Sequence, residues 1–111
     1  MAVAIWHNPR CSKSRAALAW LQARGLDPQI RLYLQDPPDP EELRAMLAAL
    51  NLPATALLRP DADAAALAAR PEGEILAALA ANPAAIERPI VRHGARAVIA
   101  RPTEKLESIF D

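Results

Sequence analysis

The period of the apolar positions changes several times along the chain, and each change marks an element. Residues 2–6, Ala-Val-Ala-Ile-Trp, form a continuous apolar run closed by Asn8-Pro9. That run is too short for a helix and predicts a buried strand. From Lys13 to Arg24 strong helix formers place Ser14, Ala17, Leu18 and Leu21 on one face, and Gly25 stands where a C-terminal cap is expected. Asp27-Pro28 turns the chain out. Residues 29–35 then alternate, with Ile30, Leu32 and Leu34 on one face and Arg31, Tyr33 and Gln35 on the other. This predicts a half-buried strand with its aliphatic side inward.

Asp39, Pro40 and Glu42 have the spacing of a helix start: a capping carboxylate, a proline at the first helical position and an acid three residues after the cap. Leu43, Met46, Leu47 and Leu50 follow at helical spacing. Between Pro53 and Asn82 the alanine-rich chain is cut by Pro60 and Pro71, which predicts two or three short helices, the last over about 72–81. Residues 88–102 hold two short strands around a tight turn at His93-Gly94, and a closing helix begins at Pro102. The order is βαβ, several helices, then ββα. It suits an α/β fold, a thioredoxin-like sandwich with a four-stranded mixed sheet, flanking helices and a helical insertion between the two units, as one domain over residues 1–111.

Composition narrows the partners. The 111 residues are 52% hydrophobic and 23% charged, with 4% aromatic and formal net charge zero. The core must therefore be mostly aliphatic, and no global basic field recruits nucleic acid or a membrane surface. Anion affinity has to be local. No run approaches the roughly 20 apolar residues needed to span a bilayer. The N-terminus has no signal-peptide pattern, and the single cysteine cannot form an internal disulfide, so the cytoplasm is the expected compartment.

That single cysteine, Cys11, lies in the loop between the first strand and the first helix, among Arg10, Lys13 and Arg15 and near His7. A helix N-terminus with cationic neighbours stabilises a thiolate and lowers the pKa from about 8.5 to roughly 3.5–7.5. The same features hold an oxyanion. Ser14 adds a hydroxyl able to donate to the sulfur. The competing reading is a small buried hydrophobe, where free cysteines usually end up, but the polar flanks here favour a reactive thiol. No C-x-x-C pair exists because position 14 is serine, so any disulfide on Cys11 needs an external thiol. A tyrosine-phosphatase loop needs Arg where Ala17 stands, one Cys and two His do not make a zinc site, and there is no glycine-rich phosphate loop.

The stretch His7-Asn8-Pro9-Arg10-Cys11-Ser12-Lys13-Ser14-Arg15 resembles the active-site loop of the glutaredoxin-coupled arsenate reductase family, which has a thioredoxin-like fold. Three further segments fall in the family's order: Leu57-Leu58-Arg59-Pro60, Glu87-Arg88-Pro89-Ile90-Val91, and Ala100-Arg101-Pro102-Thr103-Glu104-Lys105-Leu106. The resemblance spans essentially the whole chain. It implies Cys11 as the nucleophile, His7 and Ser14 as groups that lower its pKa, and Arg59, Arg88 and Arg101 as oxyanion-binding arginines. Arg15 is a candidate supporting residue, and Pro89 carries an implied cis bond.

The implied activity is reduction of arsenate to arsenite with glutathione as co-substrate and glutaredoxin as partner, without a bound cofactor or metal. Two other functions use the same scaffold: a glutathione-linked thiol oxidoreductase with a different substrate, and a non-enzymatic redox or transcription regulator. Taken singly, the arginines have blander roles. Arg59 could be a helix-end cation, Arg88 a solvated loop residue, and Arg101 a partner for Glu104 or Glu107. His93 reads as a turn residue. Asp61 and Asp63 bring negative charge close in sequence to Arg59.

Overall fold

The computed structural model describes residues 2–61 and 63–110. The expected domain boundaries therefore include Met1, Ala62 and Asp111, which lie outside the described residues. Four strands, β1 (Val3–Trp6), β2 (Gln29–Arg31), β3 (Ile90–His93) and β4 (Arg96–Ile99), form one sheet in the order β2-β1-β3-β4. β1 runs parallel to β2 and antiparallel to β3, and β3 is antiparallel to β4. The helices are α1 (Ser12–Ala23), α2 (Pro40–Leu50), α3 (Ala64–Ala68) and α4 (Glu72–Ala81), with 3₁₀ segments at Ala54–Leu57, Pro83–Ala85 and Thr103–Ile109. This is the expected thioredoxin-like sandwich, a four-stranded mixed sheet with helices on both faces.

Alternation along the central strands feeds two apolar layers. Val3, Ile5 and Val91 pack against Ala17 and Leu21 of α1 and Leu106 and Ile109 of the C-terminal 3₁₀ segment. Trp6, Ile90 and Ala97 face the other way, onto Leu43, Met46, Leu47 and Leu50 of α2 and Ile75, Leu76 and Leu79 of α4. The predicted helix starts and stops follow local chemistry. Asp39 accepts from the Glu42 amide at 2.8 Å while Glu42 accepts from the Asp39 amide at 3.2 Å, a complete capping box with Pro40 at the first position. At the end of α1, Gly25 adopts φ +75°, its amide donates to the Gln22 carbonyl and that of Leu26 to the Leu21 carbonyl. That is a Schellman cap, and the left-handed φ is what calls for glycine.

Two expectations need correction. The predicted strand over 29–35 stops at Arg31, because the amides of Gln35 and Asp36 both donate to the Leu32 carbonyl at 2.9 Å and close a turn. Ile30 (47% exposed) and Leu34 (42%) stay outside, whereas Tyr33 is 1% exposed. β2 is an edge strand with its last residues curled into a turn held by Arg31, which donates to the Asp36 and Pro37 carbonyls and pairs with Glu42. Strand alternation does not apply there, and the tyrosine takes the inner position. The closing helix from Pro102 is a 3₁₀ segment, Thr103–Ile109. Its two buried residues, Leu106 and Ile109, are three apart and align in the three-residue period of that helix. The two-residue turn between β3 and β4 has Gly94 at φ +62°.

Candidate active site

Cys11 is the N-cap residue of α1, in extended conformation (φ −92°, ψ 122°), with its carbonyl accepting from the Arg15 amide at 3.0 Å. The loop before it is tied down from several sides. The Cys11 amide donates to the Asn8 carbonyl at 3.0 Å, the Arg10 amide to Asn8 Oδ1 at 3.0 Å, and Arg15 Nη1 to the Pro9 carbonyl at 2.9 Å. Ser14, fully buried in the first turn of α1, pairs its Oγ with His7 Nδ1 at 2.6 Å and accepts from the Asn8 amide at 3.0 Å. The thiol is thus presented by a loop whose backbone is fixed at both ends.

The Cys11 thiol lies below its ordinary range. Burial pushes it up, but the Ser14 amide, a hydrogen bond from Arg88, the Lys13 amide and the Arg88 charge together outweigh that. The amides are the free N–H groups of a helix start, as the sequence predicts. The cations differ from those expected: Arg10, Lys13 and Arg15 have exposed side chains, and the guanidiniums facing the sulfur come from distant segments. Arg101 Nη2 is 3.5 Å from Cys11 Sγ. Arg88 is 7% exposed, and its Nε and Nη1 are buried with no partner among the described residues.

The sequence-predicted residues are placed as follows. Ser14 contributes to the thiol through its amide, while its hydroxyl is paired with His7 and Asn8. Burial, then the Arg15 charge, lowers the His7 pKa from 6.5, so at neutral pH the ring is uncharged and acts on the loop through Ser14. Pro89 follows Arg88 in a cis peptide, and Arg101-Pro102 is also cis. Arg59 reaches the neighbourhood by a short antiparallel pairing: Leu58 bridges Ile86, the Arg59 amide donates to the Ala85 carbonyl at 2.9 Å, and the Glu87 amide to the Leu57 carbonyl at 2.6 Å. Its side chain is exposed and borders a cleft of about 160 Å³ that it shares with Asp61 and Asp63.

Two neighbours have no sequence signal of their own. Tyr33, placed on the polar face of a strand by alternation, is buried beside the site. Its pKa is raised by burial, against the Arg88 charge, and the charges of Cys11 and Arg59 and the Asn8 side chain also act on it. Only the turn after Arg31 brings it there. Glu87, adjacent in sequence to Arg88, is a carboxylate that pairs with Arg101, at 3.6 Å from Nε, where the blander reading of Arg101 offered Glu104 or Glu107. No cluster of three or more metal-ligating side chains occurs among the described residues. No described helix is long and apolar enough to cross a membrane.

A thioredoxin-like sheet that presents one activated thiol at a helix N-terminus, facing buried guanidinium donors without partners, is built to bring an anion to a sulfur nucleophile. The comparisons agree with that class. The profile of the ArsC family matches residues 6–109, and the chain belongs to this family. An arsenate reductase of Neisseria meningitidis serogroup A is 38% identical, covering 97% of each chain. The uncharacterized protein YfgD of Escherichia coli is 39% identical, covering 96% of this chain and 95% of its own. Among solved structures, an arsenate reductase from Vibrio cholerae superposes with a TM-score of 0.91 at 37% identity, over 98% of both chains.

Proposed function

We propose that the protein reduces arsenate to arsenite, with the Cys11 thiolate as nucleophile and glutathione and glutaredoxin as external reductants. The observation that carries this reading is the Arg88 guanidinium, buried beside the thiol with Nε and Nη1 unpartnered. A buried charged donor without an acceptor is costly unless an acceptor arrives. A tetrahedral oxyanion supplies several, and the relatives named arsenate reductases supply its identity.

In this account Arg88 and Arg101, with Arg59 at the rim, hold the arsenate oxygens by charge-assisted hydrogen bonds and spread the charge that develops on attack. The thiolate bonds to arsenic, and one oxygen leaves as water after taking up protons. Arsenic remains As(V) in this Cys11 adduct. Reduction to As(III) takes two electrons, which two external thiols supply by ending as one disulfide. Because Cys11 is the only cysteine in the chain, both come from outside: one from glutathione, the other from glutaredoxin. Water then displaces the Cys11 sulfur from As(III), which breaks the sulfur–arsenic bond, releases arsenite and returns the thiol. His7, Ser14 and Asn8 keep the loop in register, and Arg15 ties its outer turn. Tyr33, held protonated by its raised pKa, is a neutral donor at the edge of the site.

The test is arsenate-dependent NADPH consumption in a mixture of glutathione, glutaredoxin and glutathione reductase. Turnover is expected with the intact protein and is lost in Cys11→Ser. Absence of turnover with arsenate, together with turnover of a glutathionylated substrate, would transfer the reading to a glutathione-linked thiol oxidoreductase.

A further inference from the structure

We propose that Glu87 is a positioning residue of this site: it holds the Arg88 backbone, whose carbonyl takes the Arg101 Nε–H, so that Nη2 points at the Cys11 sulfur. The inference rests on the reading of Arg101 as a site residue, and its test does not use arsenate turnover.

Arg101 is anchored at its Nε edge and meets the thiol with the other. Its Nε donates to the Arg88 carbonyl at 2.6 Å and lies 3.6 Å from Glu87 Oε1, while Nη2 at the other end is 3.5 Å from Cys11 Sγ. A guanidinium is planar and rigid, so fixing the Nε–H direction fixes where both Nη groups point. Glu87 Oε1 also accepts from the Arg88 amide at 3.2 Å, so one carboxylate oxygen ties the Arg88 backbone to the Arg101 side chain. Glu87 itself is held: its amide donates to the Leu57 carbonyl at 2.6 Å, and its side chain is 17% exposed. The one Nε hydrogen is taken by the Arg88 carbonyl, so a carboxylate this sheltered, on a pinned backbone, sets the direction of Arg101 through the Arg88 backbone it holds. A bare counter-charge elsewhere on the rim would leave that backbone unheld.

Position and charge predict opposite signs. Removing a negative charge near the thiol lowers its pKa, whereas losing the aim of Arg101 raises it. The experiment is the pH profile of Cys11 alkylation by iodoacetamide in Glu87→Gln, Glu87→Asp, Glu87→Ala, Arg101→Ala and the Glu87→Ala/Arg101→Ala double variant, each checked for an intact thermal transition. Glu87→Gln keeps an acceptor oxygen at the same reach and is expected to hold the midpoint at or below that of the wild type. Glu87→Asp keeps the charge but shortens the reach, and is expected to raise the midpoint and slow alkylation at pH 7 about threefold. Glu87→Ala should do the same, and adding it to Arg101→Ala should raise the midpoint no further. Should the alanine variant not fold, the Gln and Asp pair still separates the two signs. A downward shift in Glu87→Ala, an unshifted profile in Glu87→Asp, or full additivity in the double variant would overturn the proposal.

Discussion

Arg88→Met tests the anion site through a trade between stability and binding. Arg88 is 7% exposed and two of its guanidinium nitrogens are buried without partners among the described residues. Each buried unsatisfied polar group costs about 1–3 kcal/mol, and more when charged. Methionine fills a similar length without polar atoms, so the substitution should stabilise the anion-free protein by about 1 kcal/mol or more. For a domain of this size that is a melting-temperature rise of about 4 °C or more. Binding should suffer in return: two charge-assisted hydrogen bonds at about 1.5–3 kcal/mol each amount to roughly 3–6 kcal/mol, a loss of at least about 100-fold in anion affinity. The comparison belongs in a Cys11→Ala background, where no thiolate pairs with the arginine. Cys11 makes no side-chain capping bond, so alanine there removes no cap. The assay is thermal melting with and without arsenate, since a ligand that binds only the folded state raises the transition. Arg88→Met should melt higher without arsenate and gain nothing from it. A lower transition without arsenate, or an undiminished arsenate increment, would refute the reasoning.

Three further outcomes are expected. His7 has a folded pKa below its ordinary 6.5, so its contribution to stability is complete above pH 6.5 and is lost as pH falls through the lowered value. Melting followed from pH 7 to pH 5 should therefore fall less steeply in His7→Asn, and equal slopes would argue against the assignment. Asp39→Ala removes the carboxylate half of the capping box and should cost about 1 kcal/mol by urea denaturation without affecting Cys11 reactivity. Leu76→Ala empties a fully buried position of α4 in the larger apolar cluster and should cost about 2–5 kcal/mol in the same measurement.

How far the sequence could be read depended on the range of the interactions. The α2 start was legible because Asp39, Pro40 and Glu42 complete one another within four residues. The end of α1 was legible because Gly25 serves a purely local left-handed turn. The end of β2 is not legible for the opposite reason: whether alternation continues past Arg31 depends on contacts with Glu42, eleven residues on. Tyr33 moved from outer face to core with that turn. The C-terminal segment was recognised as helical, but its 3₁₀ period depends on fitting Leu106 and Ile109 under the sheet. His93, which read as a turn residue, ends β3, bonds the Ile109 carbonyl at 2.6 Å and stacks on Phe110 at 4.6 Å, so it pins that same segment.

The site follows the same rule. Local spacing placed Cys11 at a helix start and identified the amides that face it. It also drew attention to Arg10, Lys13 and Arg15, which are exposed, Arg15 bonding the Pro9 carbonyl of the loop instead of the sulfur. Arg88 and Arg101 were recognisable only through the family resemblance, because they reach the sulfur from 77 and 90 positions away in the chain. Nothing in the spacing announced Glu87 as the partner of Arg101, since that pair forms where the segment after the Leu58–Ile86 bridge meets the end of β4.

The central claim is that Cys11 is an activated thiol inside an oxyanion site. Its most direct test is the pH dependence of Cys11 alkylation in the intact protein, with and without arsenate. The account predicts a midpoint below that of an ordinary thiol and slower alkylation when arsenate is present. A thiol that titrates near 8.5 and reacts equally fast with arsenate bound or absent would contradict it.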